Sequence, residues 1–299
     1  MTELGVGIMN VGPVGLDSPG VIAQARTAEE NGAVALHLSD HLLLAESTTS
    51  RYPFSVDGKL ATPPEVDRLE SLVTCAWILA STQTVRVGPS VLVLAQRQPL
   101  EVAKVTATID ALSGGRFFLG AGSGWLAEEQ VALGYDFATR NGRFAEWVQV
   151  LRHAWSGDTS SFEGEFISVP EGIYCRPLPH GGRLIPVWTG GMTPKARRQS
   201  AEFADGWIAV HRADDPDLDA LAARVVSLGE ELDKRGRDRA SFHRVVRLVN
   251  VTEANRAQQP ELARRLAQIG FDEVVIDPVW PAWDGAAGVI RACGEALQD

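Results

Sequence analysis

The chain is poor in cysteine: Cys75, Cys175 and Cys293 are its only three among 299 residues, an odd number, widely spaced, with no C-x-x-C. That excludes a disulfide framework and a zinc knuckle, and it makes a reducing cytoplasm the simplest location. No apolar run approaches the ~20 residues that a membrane-spanning helix needs. The opening MTELGVGIMN lacks the basic start and apolar stretch of a secretory signal. Positive charge is also scarce, with 28 Lys and Arg against 38 Asp and Glu, a net charge of −10. Such a surface repels phosphate backbones, so nucleic acid and anionic membrane are not expected partners. A phosphate-bearing ligand has to be held by local geometry. H-E-x-x-H, G-x-S-x-G and G-x-x-x-x-G-K-[ST] are all absent, and no His/carboxylate cluster recurs at predicted strand ends, so no metal is expected. With 45% hydrophobic residues, a chain of this length buries roughly 75% of its unfolded surface without staples.

What is present is a repeated join. EENGAVALHL, LSGGRFFLGAG, AEFADGWIAVH and AQIGFDEVVID each end a helical pattern, place a glycine, and continue into a short apolar run. Gly32, Gly115, Gly206 and Gly270 suit the left-handed position that closes a helix. The runs read as parallel strands covered on both faces. Eight strands emerge: LGVGIM, AVALHL, VRVGPSVLVL, RFFLGAG, IPVWTG, WIAV, RVVRLVNV and EVVI. Helical patterns lie near 18–31, 67–82, 99–112, 126–156, 194–204, 216–235, 259–269 and 285–297. Eight alternating units predict a (β/α)8 TIM barrel, an α/β fold. No linker divides residues 1–299, so a single decorated domain is expected. It carries a Ser/Thr/Pro/Gly-rich loop at 45–66 and short antiparallel strands and turns at 161–185.

In such barrels the chemistry sits where strands end at the C-terminal face. Ser39, Asp40 and His41, in ALHLSDHLLL, fall at the end of the second strand, where imidazole suits proton transfer near neutral pH. The competing reading makes Asp40 a cap and His41 a solvated side chain. After the fourth strand, GAGSGW places Gly122 and Ser123 where backbone can approach a flat ligand. Trp125 occupies the position at which a dinucleotide fingerprint needs its last glycine, and a plain tight turn accounts for these residues as well. After the fifth strand, Gly190, Gly191, Met192 and Thr193 precede Pro194. Their amides form an anion site at a helix N-terminus, with Lys195, Arg197 and Arg198 close by; an ordinary capped turn is the other reading. Barrel phosphate sites more often follow strands seven and eight. In VGPSVLVL, which by pattern alone is a core strand, Pro89 argues for a bulge or an edge irregularity. His211 ends the sixth strand, where lining the mouth and a bland role are equally open; His153 and His243 read as solvated and His180 as exposed.

Taken together, SDHLLL, the YPFSVDG stretch, SGGRFFLGAGSGWLAEE, and IPVWTGG-TPKA followed by ADGW resemble the luciferase-like flavin and deazaflavin oxidoreductase superfamily over about residues 4–280. The nearest likeness is to its coenzyme F420-dependent branch. The resemblance implies a barrel with an insertion, often a homodimer, that binds cofactor at its C-terminal mouth. By the same resemblance Asp40 matches a carboxylate beside the deazaflavin, and His41 the histidine that handles the substrate proton. Ser90-Val91 match a bulge with a cis peptide behind the ring. Gly122 and Ser123 line the ring edge or tail, and Gly190 to Thr193 bind phosphate through their backbone. The implied activity is hydride transfer between F420 and a small organic substrate. Alternatives are an FMN-dependent monooxygenase and a non-catalytic flavin-binding relative. Two departures bear on substrate: the sugar-phosphate dehydrogenases carry glutamate where Trp125 stands and tryptophan where Ala45 stands. FMN-using luciferases carry an arginine near Ser123, and its absence favours F420. Trp125, His211, the 45–66 loop and Trp280 are the expected pocket walls.

Overall fold

A computed structural model describes residues 1–17, 20–215 and 217–298, with the backbone alone at Trp283. Among the described residues there are eleven strands: β1 (Glu3–Ile8), β2 (Ala35–Leu38), β3 (Arg86–Pro89), β4 (Leu92–Val93), β5 (Leu119–Gly122), β6 (Phe162–Glu163), β7 (Ser168–Val169), β8 (Val187–Gly190), β9 (Gly206–Arg212), β10 (His243–Val249) and β11 (Glu273–Ile276). Nine form one parallel sheet in the order β3-β2-β1-β11-β10-β9-β8-β5-β4. Its two ends, β3 and β4, are halves of one barrel strand interrupted at the cis Ser90–Val91 bond. The Val87 amide donates to the Arg116 carbonyl at 2.9 Å, which stitches β3 to the chain entering β5 and closes the barrel. The result is the (β/α)8 barrel expected from the alternation. The hairpin β6–β7 pairs antiparallel within the 161–185 insertion, and residues 45–66 contain no helix or strand.

The helices are α1 (Gly12–Leu16), α2 (Gly20–Glu30), α3 (Ser71–Ser81), α4 (Pro99–Leu112), α5 (Ala127–Ala132), α6 (Arg140–Ser156), α7 (Pro194–Phe203), α8 (Leu218–Asp233), α9 (Gln259–Ile269) and α10 (Trp283–Ala296). The expected starts at residues 18 and 216 lie outside the described residues. The long helical pattern at 126–156 is two helices. Gly134 takes φ +84° and the Tyr135 amide donates to the Gln130 carbonyl, which ends α5 and releases the chain to restart at Arg140. Gly32 and Gly270 are left-handed at helix ends, but Gly206 is not. It opens β9, where an added Cβ would lie 2.5 Å from the His243 carbonyl and 2.6 Å from the Trp188 ring. Packing, rather than a cap, requires that glycine.

Strand alternation divides the core in two. Ala35, Phe118, Trp188, Ile208, Val245 and Val275, with Val91 packed on them, fill the barrel interior. Leu36, Leu38, Ile78, Trp155, Trp207 and Phe271 belong to the larger layer between strands and helices. The N-terminal end of the barrel is closed by charge. Glu273 bonds His37 and lies 3.2 Å from Arg86 and 3.3 Å from His243, while Arg86 also bonds Glu3. Burial alone would raise the Glu273 carboxyl, yet His37, His243 and Arg86 hold it far below the usual range. His243, expected in solvent, instead stacks on Trp188 with centroids 4.7 Å apart. Among the described residues no helix is long and apolar enough to cross a membrane.

Candidate active site at the barrel mouth

The second strand ends at Leu38, and the next three residues part company. Ser39 Oγ donates to Asn10 Oδ1 at 2.8 Å, and Asn10 Nδ2 donates back to the Ser39 carbonyl at 3.1 Å. Asp40 turns inward. Its Oδ2 accepts the Val93 amide at 2.8 Å and its Oδ1 accepts from Arg97 Nη2 at 2.8 Å. Arg97 in turn pairs with Glu70, the residue that caps α3 through the Val73 amide. Burial raises the Asp40 carboxyl above its ordinary range, and Arg97 and the Val93 amide only partly offset this. Both oxygens are thus committed to holding the chain just past the Ser90–Val91 interruption.

His41 points the other way. Its Nδ1 lies 2.8 Å from Glu129 Oε2, while Glu129 Oε1 accepts the Leu42 and Leu43 amides at 2.6 and 3.1 Å. Burial would raise the Glu129 carboxyl, but the His41 contact and the two amides hold it below its ordinary value. The neighbouring Glu128 grips the next stretch of loop, accepting the Thr49 amide at 2.6 Å and the Ser50 amide at 3.2 Å. The first turn of α5 is therefore a clamp for residues 41–50. Above His41 an aromatic chain runs from Trp125 (5.7 Å, edge-on) to Tyr52 (5.3 Å) and Phe54 (5.6 Å). Through it the 45–66 loop folds over the mouth.

The interruption in the third barrel strand pushes Val91 toward the barrel axis. A Cβ on Gly122 or on Gly190 would lie 2.9 Å from the Val91 methyls. Those two glycines make room for Val91, and the three together form a smooth ledge. The Ser90 amide donates to the Leu38 carbonyl at 2.7 Å, Arg247 Nη1 donates to the Ser90 carbonyl at 2.8 Å, and the buried Ser90 Oγ has no partner. Beyond the ledge lies a cavity of about 330 Å³ lined by Ser123, Arg140, Asn141, Gly190, Gly191, Thr193 and Lys195, among others. Thr193 caps α7 by accepting the Ala196 amide at 3.1 Å, and Pro194 follows. The Gly191 and Met192 carbonyls accept from Trp207 and Arg197, whereas the Met192 and Thr193 amides donate to no acceptor among the described residues. No arginine stands beside Ser123 in sequence, yet Arg140 reaches the same cavity from α6 with its Nε buried and unpartnered.

Asp40, His41, Ser90, Val91, Gly122, Ser123, Trp125 and Gly190 to Thr193 thus gather at one end of the barrel. His211 does not join them. On β9 it alternates with the interior Ile208 and Val210, so it faces the helices, where burial lowers its imidazole despite Asp215. Trp280 is buried, its Nε1 donating to the Gly7 carbonyl at 2.6 Å. Glu129, Tyr52, Arg68, Arg140 and Arg247 were not singled out by sequence. Glu129 is the second of two acids in a first turn, a pattern that by itself signals only a favourable helix dipole.

Comparison with known proteins decides the family. Residues 2–277 match the luciferase-like monooxygenase family. The chain belongs to it, and with it to the oxidoreductases. An uncharacterized protein of Mycobacterium tuberculosis is 34% identical over 214 residues, 71% of this chain and 72% of that one. An F420-dependent secondary alcohol dehydrogenase in complex with an F420-acetone adduct superposes with a TM-score of 0.77 at 15% identity, covering 100% of this chain and 99% of the other. The oxygenating constituent of 3,6-diketocamphane monooxygenase from Pseudomonas putida, a type II Baeyer–Villiger monooxygenase in complex with FMN, superposes at 0.73 with 13% identity, covering 99% and 98%. At such identities the shared feature is the fold.

Proposed function

We propose that this luciferase-like chain is an F420-dependent oxidoreductase in which hydride passes between the deazaflavin C5 and a small organic substrate while His41 handles the matching proton. The observation that carries this reading is the His41–Glu129 contact beside the Val91 ledge. With its Nδ1–H donating to Glu129, the imidazole is fixed in one orientation and leaves Nε2 for a substrate oxygen. The deazaflavin, when bound, supplies two-electron chemistry.

The residues present fit such a group. Val91, framed by Gly122 and Gly190, would back a flat ring. The Met192 and Thr193 amides, with Arg140 and Lys195, would hold a phosphate at the start of α7, and Ser123 lines the same cavity. Asp40 then acts as a positioning residue that fixes the ledge through Val93 and Arg97. Trp125 and Tyr52 exclude water from His41 and wall an aromatic substrate pocket.

One observation supports a second reading, an FMN-dependent monooxygenase: Arg140 puts a guanidinium in the phosphate cavity, a group suited to a terminal phosphate dianion. Titrating the protein separately with F420 and FMN, and reading fluorescence, tests the two. Tighter F420 binding with turnover of a secondary alcohol or ketone panel is the expected result. Tight FMN binding without F420 binding rejects the first reading, and cofactor binding without any turnover supports a carrier.

We also infer a homodimer. On the outer face of α3 and α4, Trp77 is 64% exposed and Leu112 85%, with Val73, Ala76 and Val105 in the same apolar groove. Light scattering of the intact chain and of Trp77→Glu tests this; a monomeric parent overturns it.

A further inference from the structure

Arg247 is placed by strand alternation. On β10 it lies two residues beyond Val245, which belongs to the interior plug, so it rises from the same face at the top of that plug. Its guanidinium donates to the Ser90 carbonyl at 2.8 Å and forms no ion pair among the described residues. Asp277, nearby, accepts the Val279 amide at its Oδ1 at 2.9 Å. Arg68 is a second cation with no ion pair among the described residues. It is held by a bridge between its backbone and Val11, the residue before α1, and its Nε and Nη2 are buried with no partner. The acids nearest to it are already engaged: Asp40 by Arg97, and Glu129 by His41 and two amides. Tyr52, packed on Trp125 beside His41, feels the field of both arginines.

Elsewhere the enclosed arginines have acceptors: the buried Arg143 and Arg197 bond backbone carbonyls. Arg86 has Glu3 and Glu273, and Arg97 has Asp40 and Glu70. Leaving buried guanidinium donors unpaired is unfavourable, so the unpartnered Nε and Nη2 of Arg68, together with an Arg247 that has no ion pair among the described residues, point to an acceptor that arrives with the ligand. We propose that Arg68 and Arg247 form the anion-binding wall of the substrate pocket and that the substrate is a small organic carboxylate. This rests on the reading of His41 as the proton-handling group, since that reading makes this space the substrate's. A guanidinium matches a carboxylate through two parallel N–H···O bonds. A monoanion fits better than a phosphate dianion, because Asp40, Glu129 and Asp277 stand in the same field and oppose a second negative charge.

The test uses binding to the intact chain without turnover. Thermal shifts are recorded with acetate, benzoate, benzamide and inorganic phosphate for the parent, Arg68→Gln, Arg247→Met and His41→Ala. Benzoate or acetate is expected to raise the melting temperature while isosteric, neutral benzamide does not, and the implied affinity is expected to fall about tenfold or more in each arginine variant. Arg68→Gln alone, without ligand, is expected to melt no lower than the parent because it removes an unpaired buried charge. A purely structural arginine would give the reverse. His41→Ala is expected to keep the carboxylate preference even if turnover is lost, so failure of the proton-transfer reading and failure of this one are separable. Equal shifts for benzoate and benzamide, no carboxylate shift in the parent, a preference for phosphate, or a preference retained in both arginine variants overturns the proposal.

Discussion

His41 Nδ1 and Glu129 Oε2 lie 2.8 Å apart although 88 positions separate them in the chain. The same carboxylate holds the amides that immediately follow the histidine, so one side chain fixes both the imidazole and the loop carrying it. Glu129→Gln preserves size but loses the charge. A loss of roughly 10²-fold in kcat, with KM little changed, is expected from steady-state kinetics, and His41→Ala should lose at least as much, in line with the usual contribution of a positioned acid–base group. An unchanged kcat in His41→Ala removes the histidine from the chemistry.

Asp40 offers a contrasting expectation. Its side chain is wholly buried and paired with Arg97, and breaking a buried pair by removing one partner costs about 3–5 kcal/mol. Asp40→Ala should therefore lower the denaturant midpoint clearly and weaken cofactor binding through the displaced ledge. A variant of parental stability with intact binding contradicts the assigned role.

At the opposite end of the barrel, Glu273→Gln leaves Arg86, His37 and His243 without their shared carboxylate. A loss of about 3–5 kcal/mol is again expected from urea unfolding. If the folded variant retains cofactor affinity, the two ends of the barrel are energetically separate.

Acid should release the loop clamp before it unfolds the barrel. The Glu128 carboxyl is lowered from 4.5 to about 2; its slight burial opposes the shift, and the Thr49 and Ser50 hydrogen bonds outweigh it. A carboxyl lowered on folding stabilises the folded clamp fully above its unfolded value and loses that contribution as pH falls through its folded value. The clamp should therefore weaken between pH 4.5 and about 2. Trp125 fluorescence against pH should show a transition in that window, and Glu128→Gln should diminish it, leaving the part that Glu129 contributes.

Gly190→Ala tests the ledge. The new methyl would meet Val91 at 2.9 Å, and overpacking of this kind costs about 1–3 kcal/mol. A roughly tenfold weaker cofactor affinity is expected, with recovery in the pair Gly190→Ala, Val91→Ala. No change in affinity means that the ring does not rest there.

Much of this molecule is legible in its residues. Apolar runs after helix-closing glycines announce buried parallel strands, as at EVVI and β11, and the four motifs that gather at the mouth follow one another in the expected order. The misreadings share a cause. His211 ends a strand, as expected, but one step of alternation turns it toward the helices. Gly206 looks like a cap and is a packing requirement. An arginine does line the cavity beside Ser123, but it is Arg140, whose place there depends on how α6 docks.

Periodicity and turn chemistry act over a few residues, so the sequence by itself determined the alternation of strands and helices, the closed barrel, and the end at which polar residues collect. Which acid meets His41, which arginines go unpaired, and where the 45–66 loop comes to rest were decided only in three dimensions. Those contacts join residues tens of positions apart, and their partners are selected by which loops converge over the same strand ends, a relationship no local pattern encodes.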